Sequence, residues 1–473
     1  MSTPPQSLSG QQPQPQGNLS PSNYMIFVAF VAAIAGGLYG YDTGIISGAL
    51  LQISRDFGLD HQAQELVTAS ILAGAVLGAV GSTRLSTRLG RRRTIMLVAL
   101  LYIVGVLACA FAPTAFWLGA FRFMLGLAVG ASTQIVPMYI AELAPPDKRG
   151  RLVAYFNVSI GIGILLAAVV GYVLQESWTW RWMIGAAAVP ALILLLGMLW
   201  LPDSPRWLVE TDQVPEARET LEQVRETSRE VRREIAEIRA VQERLEDAPT
   251  GWAALRQPWL RPALIAGLGV AAFTQLSGIE MMIYYTPTFL AEAGFGHSSA
   301  LLAALGVAIT YLVMTFVGKL VVDHVGRRRL TLVTMPLAAI VLLTLAAVFR
   351  WQLGGEHHGG LVVTLLLLFM VFNSAGIQII GWLVGSEIYP LSIRDQATGA
   401  HAAMLWGSNL LLTGTALSLV SILGVGGAMA FYGLLNVLGV LFIFFFVPET
   451  AGRSLEEIET SLRQGTFLKR SGR

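Results

Sequence analysis

The sequence predicts an all-α membrane protein: twelve transmembrane helices in two six-helix halves, with a short cytoplasmic helical domain between them. Three observations carry this expectation. Of the 473 residues, 54% are hydrophobic and only 13% are charged, against roughly a quarter charged in soluble domains. The apolar residues gather into twelve runs, beginning near residues 25, 66, 94, 116, 152, 182, 262, 299, 330, 361, 396 and 425, and each approaches the about 20 residues that cross a bilayer as a helix. The chain also repeats itself. LGRRR at Leu89 to Arg93 returns as VGRRR at Val325 to Arg329, and Gly40-Tyr41-Asp42 returns as Gly278-Ile279-Glu280. Glu142 precedes Arg149 by seven residues as Glu387 precedes Arg394, and Pro202-Asp203 matches Pro448-Glu449. Offsets of 236 to 246 residues are too long for a solenoid and fit two packed halves with a site at their interface, as in membrane carriers.

In chain order, residues 1–23 are rich in Pro, Gln, Ser and Gly, lack Lys and Arg, and read as a disordered cytoplasmic tail rather than a signal peptide. Residues 24–201 form the N-terminal six-helix half, whose first-span glycines read as close helix packing and not as a phosphate loop. Residues 202–258 alternate Glu and Arg, many three or four apart, the pattern of solvated helices joined by weak ion pairs. They are expected to form a cytoplasmic helical linker that clasps the halves. Residues 259–447 form the C-terminal six-helix half and 448–473 a cytoplasmic tail.

Of the 32 Lys and Arg, 28 lie in alternate connections or at the helix ends beside them. Positive charge is retained inside, so those connections and both termini are expected in the cytoplasm of a multi-pass cell-membrane protein. Only Arg55, Arg122, Arg181 and Arg350 fall elsewhere. The net charge of +2 is spread along one membrane face and gives no nucleic-acid signal. Cys109 is the only cysteine, which excludes disulfides and cysteine metal sites. His357 and His358 have only Glu356 beside them, His401 reads as a packed helix residue, and neither nucleophile nor cofactor loop is visible. No metal, cofactor or enzymatic activity is expected.

Six segments then carry a family resemblance: GGLYGYDTGIISGAL (Gly36 to Leu50), PMYIAELAPPDKRGRL (Pro137 to Leu152), PDSPRWL (Pro202 to Leu208), QLSGIEMMIYY (Gln275 to Tyr285), SEIYPLSIR (Ser386 to Arg394) and PETAGRSLEEIE (Pro448 to Glu459). From Tyr24 to about Leu462 the chain resembles the sugar porter family of the major facilitator superfamily, which includes bacterial proton-coupled sugar symporters and facilitative glucose carriers. The resemblance implies the major facilitator fold. It also implies that the arginine clusters lock an inner gate, with Arg91, Arg92, Arg327 and Arg328 meeting Glu142 and Glu387 near Arg149 and Arg394. The alternative is that the clusters anchor orientation and bind anionic headgroups. The second copy has Asp323 before its glycine where the first has Thr87, so the first clasp is expected to be the weaker.

Asp42 lies about 17 residues into the first span, roughly 25 Å from its cytoplasmic end, and Arg122 about 6 residues into the inward-running fourth, roughly 9 Å from its outer end. In a core about 30 Å thick the two share a depth. Ionisable residues there are functional candidates. In proton-coupled members of the resembled family an aspartate matching Asp42 carries the proton. A carboxyl's hold on a proton depends on burial and on an adjacent guanidinium, so a gate movement that changes their separation loads or unloads it. The alternative is a static ion pair joining spans one and four.

Sugars are held by amides and hydroxyls with an aromatic ring on their apolar face. The resemblance places such groups at Gln275, Tyr284, Tyr285, Trp382 and Asn409, with Thr274 and Asn157 beside them. It also shows departures: Thr274 replaces one glutamine of a tandem pair, Glu280 an asparagine and Val158 a glutamine, Tyr311 stands near an expected asparagine, Leu405 replaces a polar residue, and Ile379 and Gly381 replace prolines. An ionised Glu280 accepts from vicinal hydroxyls of a polyol or cyclitol, or pairs with an amino sugar; a protonated one imitates the lost amide. A second proton site is a further reading, and a carboxyl satisfied by Tyr284 or backbone donors another. Gly278 permits the helix break expected beside a cavity.

The sequence therefore reads as a proton-coupled symporter, functional as a monomer, importing a small-molecule sugar or polyol by alternating access. A facilitative uniporter is the alternative on the same scaffold, and a nutrient sensor or receptor the alternative of another class.

Overall fold

The computed structural model describes residues 21–145, 148–246, 252–353, 358–390, 393–453 and 455–468; the tail 1–20, His357 and residues 469–473 lie outside them. The N-terminal half comprises α1 (Pro21–Phe57), α2 (His61–Leu89), α3 (Arg91–Ala110), α4 (Ala115–Leu143), α5 (Arg149–Val173) and a sixth span in two pieces, α6 (Trp180–Gly185) and α7 (Ala188–Leu199). Three short helices follow: α8 (Pro205–Glu210), α9 (Val214–Val224) and α10 (Ser228–Glu246). The C-terminal half comprises α11 (Arg261–Leu276), α12 (Ile279–Glu292), α13 (His297–Val325), α14 (Arg327–Trp351), α15 (His358–Ala375), α16 (Ile377–Glu387), α17 (Arg394–Thr413) and α18 (Ala416–Phe446), with α19 (Leu455–Arg463) after it.

Among the described residues, eleven helical stretches are long and apolar enough to cross a membrane, with α11–α12 and α15–α16 each counting as one. The remaining predicted span is α17. It is helical over 20 residues, but Gln396, His401, Ser408 and Asn409 lower its hydropathy. The fold is that of a multi-pass membrane protein.

The duplication is visible in the packing. In the first half α1 lies along α5, α2 along α4, and α3 along α4 and α7; in the second α11 lies along α17, α13 along α15, and α14 along α15 and α18. Small residues permit the closest crossings. A Cβ on Gly40 would strike the Ile160 carbonyl, and one on Gly126 the Ile71 carbonyl, as expected where backbones approach directly. The halves meet through α2 with α17, α5 with α13, and α1 with α12.

Two interruptions open the second half. Gly278, at φ +94°, separates α11 from α12, a left-handed conformation that glycine adopts without a Cβ clash. Gly376 separates α15 from α16 at φ −111°, ψ −106°. In the last span Gly424 leaves the helical region at φ +72°, so the run predicted to start near 425 is the second stretch of a helix that begins at Ala416. The linker helices dock on the first half: Arg225 Nη1 donates to the Leu143 carbonyl at 2.8 Å and Trp207 Nε1 to the Thr87 carbonyl at 2.9 Å. The 3₁₀ turn Trp252–Arg256 meets α17 of the other half.

Candidate functional site

α1 and α4 bring Asp42 and Arg122 together at the centre of the first half. Asp42 is 4% exposed and Arg122 fully buried, with Nη1 to Oδ1 at 3.9 Å. That distance is an ion pair but too long for a hydrogen bond. Arg122 is anchored instead by Nε, which donates to the Val67 carbonyl of α2 at 3.0 Å. Its two terminal nitrogens have no hydrogen-bond partner among the described residues. The cation is thus positioned by its stem and left with donors to spare.

Across the interface, the turn at Gly278 aims the first residues of α12 at α1. Glu280 is 2% exposed; Asn409 of α17 faces it, yet Glu280 Oε2 and Asn409 Nδ2 each lack a well-formed hydrogen bond. Tyr39, Tyr284 and Tyr311 lie within electrostatic reach of the carboxyl. Tyr284 also lies within electrostatic reach of Asp42 and Arg122, and so of both acids. Gln275 Oε1 and Gln378 Oε1 are buried without a partner. Buried polar atoms ordinarily find partners, and unpartnered donors and acceptors suit a polyhydroxylated guest.

The predicted contacts divide on inspection. Gln275, Glu280, Tyr284 and Asn409 carry or adjoin these unpartnered groups. Tyr285 is turned away: its hydroxyl donates to the Thr413 carbonyl at 2.9 Å. Thr274 is engaged with the Val270 carbonyl at 2.7 Å and packs on Gly381, where it holds α16 in place. Asn157 is half-buried on α5, with no side-chain hydrogen bond among the described residues, and Trp382 is half-buried on α16. The tryptophan that spans the halves is Trp406, edge-on to Tyr39 at 5.2 Å and donating to Thr133 Oγ1 at 3.3 Å. Gln378 and Tyr39 were not singled out in the sequence; an amide four residues before Trp382 was the available signal.

The arginine clusters form two matching networks. Arg91 Nη2 meets Glu142 at 2.9 Å and Glu210 at 3.9 Å, while Arg327 meets Glu387 at 2.7 Å and Asp323 at 2.9 Å. These ion pairs join residues of the first half and its adjoining linker in one network, and residues of the second half in the other. Asp203 accepts from the amides of Arg91 and Arg92 at 3.0 and 3.3 Å; Glu449 accepts from those of Arg327, Arg328 and Arg329 at 2.8, 3.2 and 3.3 Å. Arg92 and Arg328 reach the Met198 and Phe444 carbonyls. Arg149 is exposed and joins no network among the described residues, which departs from the expectation that its spacing from Glu142 makes it a partner. Arg394 begins α17. Glu210 of the linker takes the place that Thr87 leaves empty, at a longer distance than Asp323 in the second copy.

Comparison with known proteins assigns the chain to a family. The profile described as "Sugar (and other) transporter" matches residues 28–462. The chain belongs to the sugar porter family of the major facilitator superfamily. This sugar porter is 36% identical over 441 residues to a D-xylose transporter of Levilactobacillus brevis, covering 93% of this chain and 96% of the relative. It is 34% identical over 456 residues to the galactose-proton symporter of Escherichia coli, covering 94% and 96%. Among solved structures, the partially occluded inward-open conformation of the xylose transporter XylE from E. coli superposes with a TM-score of 0.80 at 26% identity, covering 91% of this chain and 100% of that one. The proton:xylose symporter XylE bound to 6-bromo-6-deoxy-D-glucose superposes at 0.78, with 26% identity and coverage of 93% and 99%. Members of this family are secondary transporters of sugars, not enzymes.

Proposed function

We propose that this sugar porter is a proton-coupled symporter that imports a sugar or sugar-like polyol across the cell membrane, with the arginine-bearing end and both termini in the cytoplasm. The observation that carries the reading is the buried Asp42–Arg122 pair at 3.9 Å. A lone buried ion costs several kcal/mol, so the ionised pair favours a closed empty carrier. A proton on Asp42 removes the anion and frees Arg122, whose Nη1 and Nη2 already lack hydrogen bonds. The carrier then rearranges around a loaded site. Release of proton and cargo on the cytoplasmic side re-forms the pair, and the two halves rock back about α1, α12 and α17. Gln275, Glu280, Tyr284 and Asn409 supply the cargo contacts, Trp382 and Trp406 the aromatic surfaces, and the GRRR networks hold the inner helix ends rigid while the halves move. The proton-symporting relatives support the coupling.

The test is uptake by proteoliposomes under an imposed proton gradient, using D-xylose, D-galactose and D-glucose as probes. The wild type accumulates a probe and alkalinises the medium; Asp42→Asn loses both while retaining exchange of labelled for unlabelled sugar. Uptake that only equilibrates the sugar and is unchanged by a protonophore makes the protein a uniporter, and saturable binding without flux makes it a sensor.

A further inference from the structure

Two buried acids lie within electrostatic reach of Tyr284, but Arg122 is the one guanidinium beside them among the described residues. Asp42 has Arg122 at 3.9 Å. Glu280, within electrostatic reach of the same Tyr284, has none among the described residues. The groups facing it are Tyr39 from α1, Tyr284 from its own helix, Tyr311 from α13 and Asn409 from α17. Tyr432 of α18 lies against neighbouring Gly278. α11 and α15 have their own titratable groups, Arg261 and His358, only at their first residues. His401 of α17 is committed elsewhere, with Nε2 2.7 Å from the Gly381 carbonyl and Nδ1 3.3 Å from the Tyr389 hydroxyl. Since a carbonyl only accepts, Nε2 carries that ring's proton and Nδ1 accepts from Tyr389. Lys319 lies eight residues beyond Tyr311, about 12 Å along α13, and the acid within its electrostatic reach is Asp323.

Every candidate cation is therefore used or distant, while Glu280 is 2% exposed and its Oε2 has no partner. An unpaired carboxylate so placed costs several kcal/mol. Resting on the reading of this cavity as the cargo site, the geometry points to Glu280 as a second proton-binding site, distinct from Asp42, whose carboxyl is protonated in the closed empty carrier and turns Oε2 into a donor toward a neutral polyhydroxylated cargo. The proton comes from water on the side to which the cavity last opened and is bound at the unpartnered Oε2. Because Asn409 faces this acid and Arg122 is paired with Asp42, it links cargo affinity to pH without the Asp42–Arg122 pair. An amino-bearing cargo, which would bring its own cation, is the competing outcome.

The proton is observed directly by infrared difference spectra of the full-length protein in liposomes, recorded across pH without cargo, for Asp42→Asn and Asp42→Asn/Glu280→Gln. A carboxylic-acid carbonyl band that titrates in the first and is missing from the second is expected; identical spectra overturn the proposal. Glu280→Asp, which keeps the acid, should restore a shifted band and guards against loss by misfolding. In a parallel arm, D-xylose, D-galactose, D-glucose and D-glucosamine binding is followed by tryptophan fluorescence. Tenfold or greater preference for D-glucosamine that Glu280→Gln abolishes also overturns the proposal, in favour of a cationic cargo. Failure of the symport reading is separate: it is seen as pumping by Asp42→Asn, whatever the Glu280 band does.

Discussion

Glu65 on α2 accepts from both the amide and the hydroxyl of Ser418 at the start of α18, each at 2.6 Å. This is a fastening between the halves, at the end opposite the GRRR loops. Glu65 is 3% exposed, and the amide it takes belongs to the first turn of a helix, where donors lack intrahelical partners and the dipole favours an anion. His61 and Glu292 add a more exposed contact at 3.0 Å nearby. At the arginine-bearing end, by contrast, Gln134 and Thr398 are 3.5 Å apart.

Weakening that fastening should favour opening at the end opposite the arginines. Hydrogen bonds to charged groups contribute about 1.5–3 kcal/mol, so Glu65→Ala should shift the opening equilibrium roughly tenfold to hundredfold. Ser418→Ala, which spares the amide contact, should shift it less. The check is labelling of a cysteine introduced beside Thr68; native Cys109 is buried and contributes little background. Equal labelling in all three proteins would dismiss Glu65 as a latch.

The Asp42–Arg122 pair makes a prediction for stability separate from transport. Removing one partner of a buried pair leaves an uncompensated charge and costs about 3–5 kcal/mol, whereas removing both is often neutral. Asp42→Asn and Arg122→Gln should each lower the melting temperature in detergent, and the double variant should recover most of the loss. Additive losses would show that the two charges do not stabilise each other.

Trp406 is positioned to report on contact between the halves, since its ring meets Tyr39 and its Nε1 donates to Thr133 at 3.3 Å. Trp406→Phe keeps an aromatic face and loses the hydrogen bond; interhelical bonds in membranes average about 0.6 kcal/mol, so a two- to threefold change in sugar affinity is expected. Trp406→Ala, which also removes the ring, should weaken binding of a transported probe by more than tenfold. Equal effects of the two changes would assign the whole role to the hydrogen bond.

What the sequence made legible is what composition and repetition encode locally: the spans, the matched halves, the break at Gly278, and the shared depth of Asp42 and Arg122. What it hid depends on direction. Adjacent helix residues point about 100° apart, so Tyr284 and Tyr285 cannot both face the cavity, and Tyr285 turns to Thr413. The same geometry commits Thr274 to α16 while its neighbour Gln275 keeps an unpartnered oxygen. The seven-residue spacing of Glu142 and Arg149 crosses a helix end, so Glu142 takes its cation from α3. Glu65 stands only four residues into α2, where an acid reads as solvated; only the arrival of α18 makes it interior.

The final prediction separates the two GRRR networks. Gly90 and Gly326 adopt φ of +86° and +94° with ψ of 162° and 155°, a region essentially confined to glycine that costs other residues about 1–3 kcal/mol. A Cβ on either would stand 2.5 Å from a carboxylate oxygen, of Asp203 in one half and Glu449 in the other. Gly90→Ala and Gly326→Ala should therefore both destabilise the protein. The carboxylates differ more. Glu449 uses both oxygens to accept from three amides at the start of α14, whereas Asp203 uses Oδ1 alone to accept from two at the start of α3 and from Ser204 at 2.9 Å. Loss of a helix cap costs about 0.5–2 kcal/mol, and more donors are orphaned at α14. Glu449→Ala should lower the melting temperature more than Asp203→Ala, and Glu449→Gln, which keeps one acceptor, should lie between Glu449→Ala and wild type. If Asp203→Ala proves the more damaging, the contact of Glu210 with Arg91 holds the first network less well than its 3.9 Å separation suggests, and Asp203 is the main support of that end of the half.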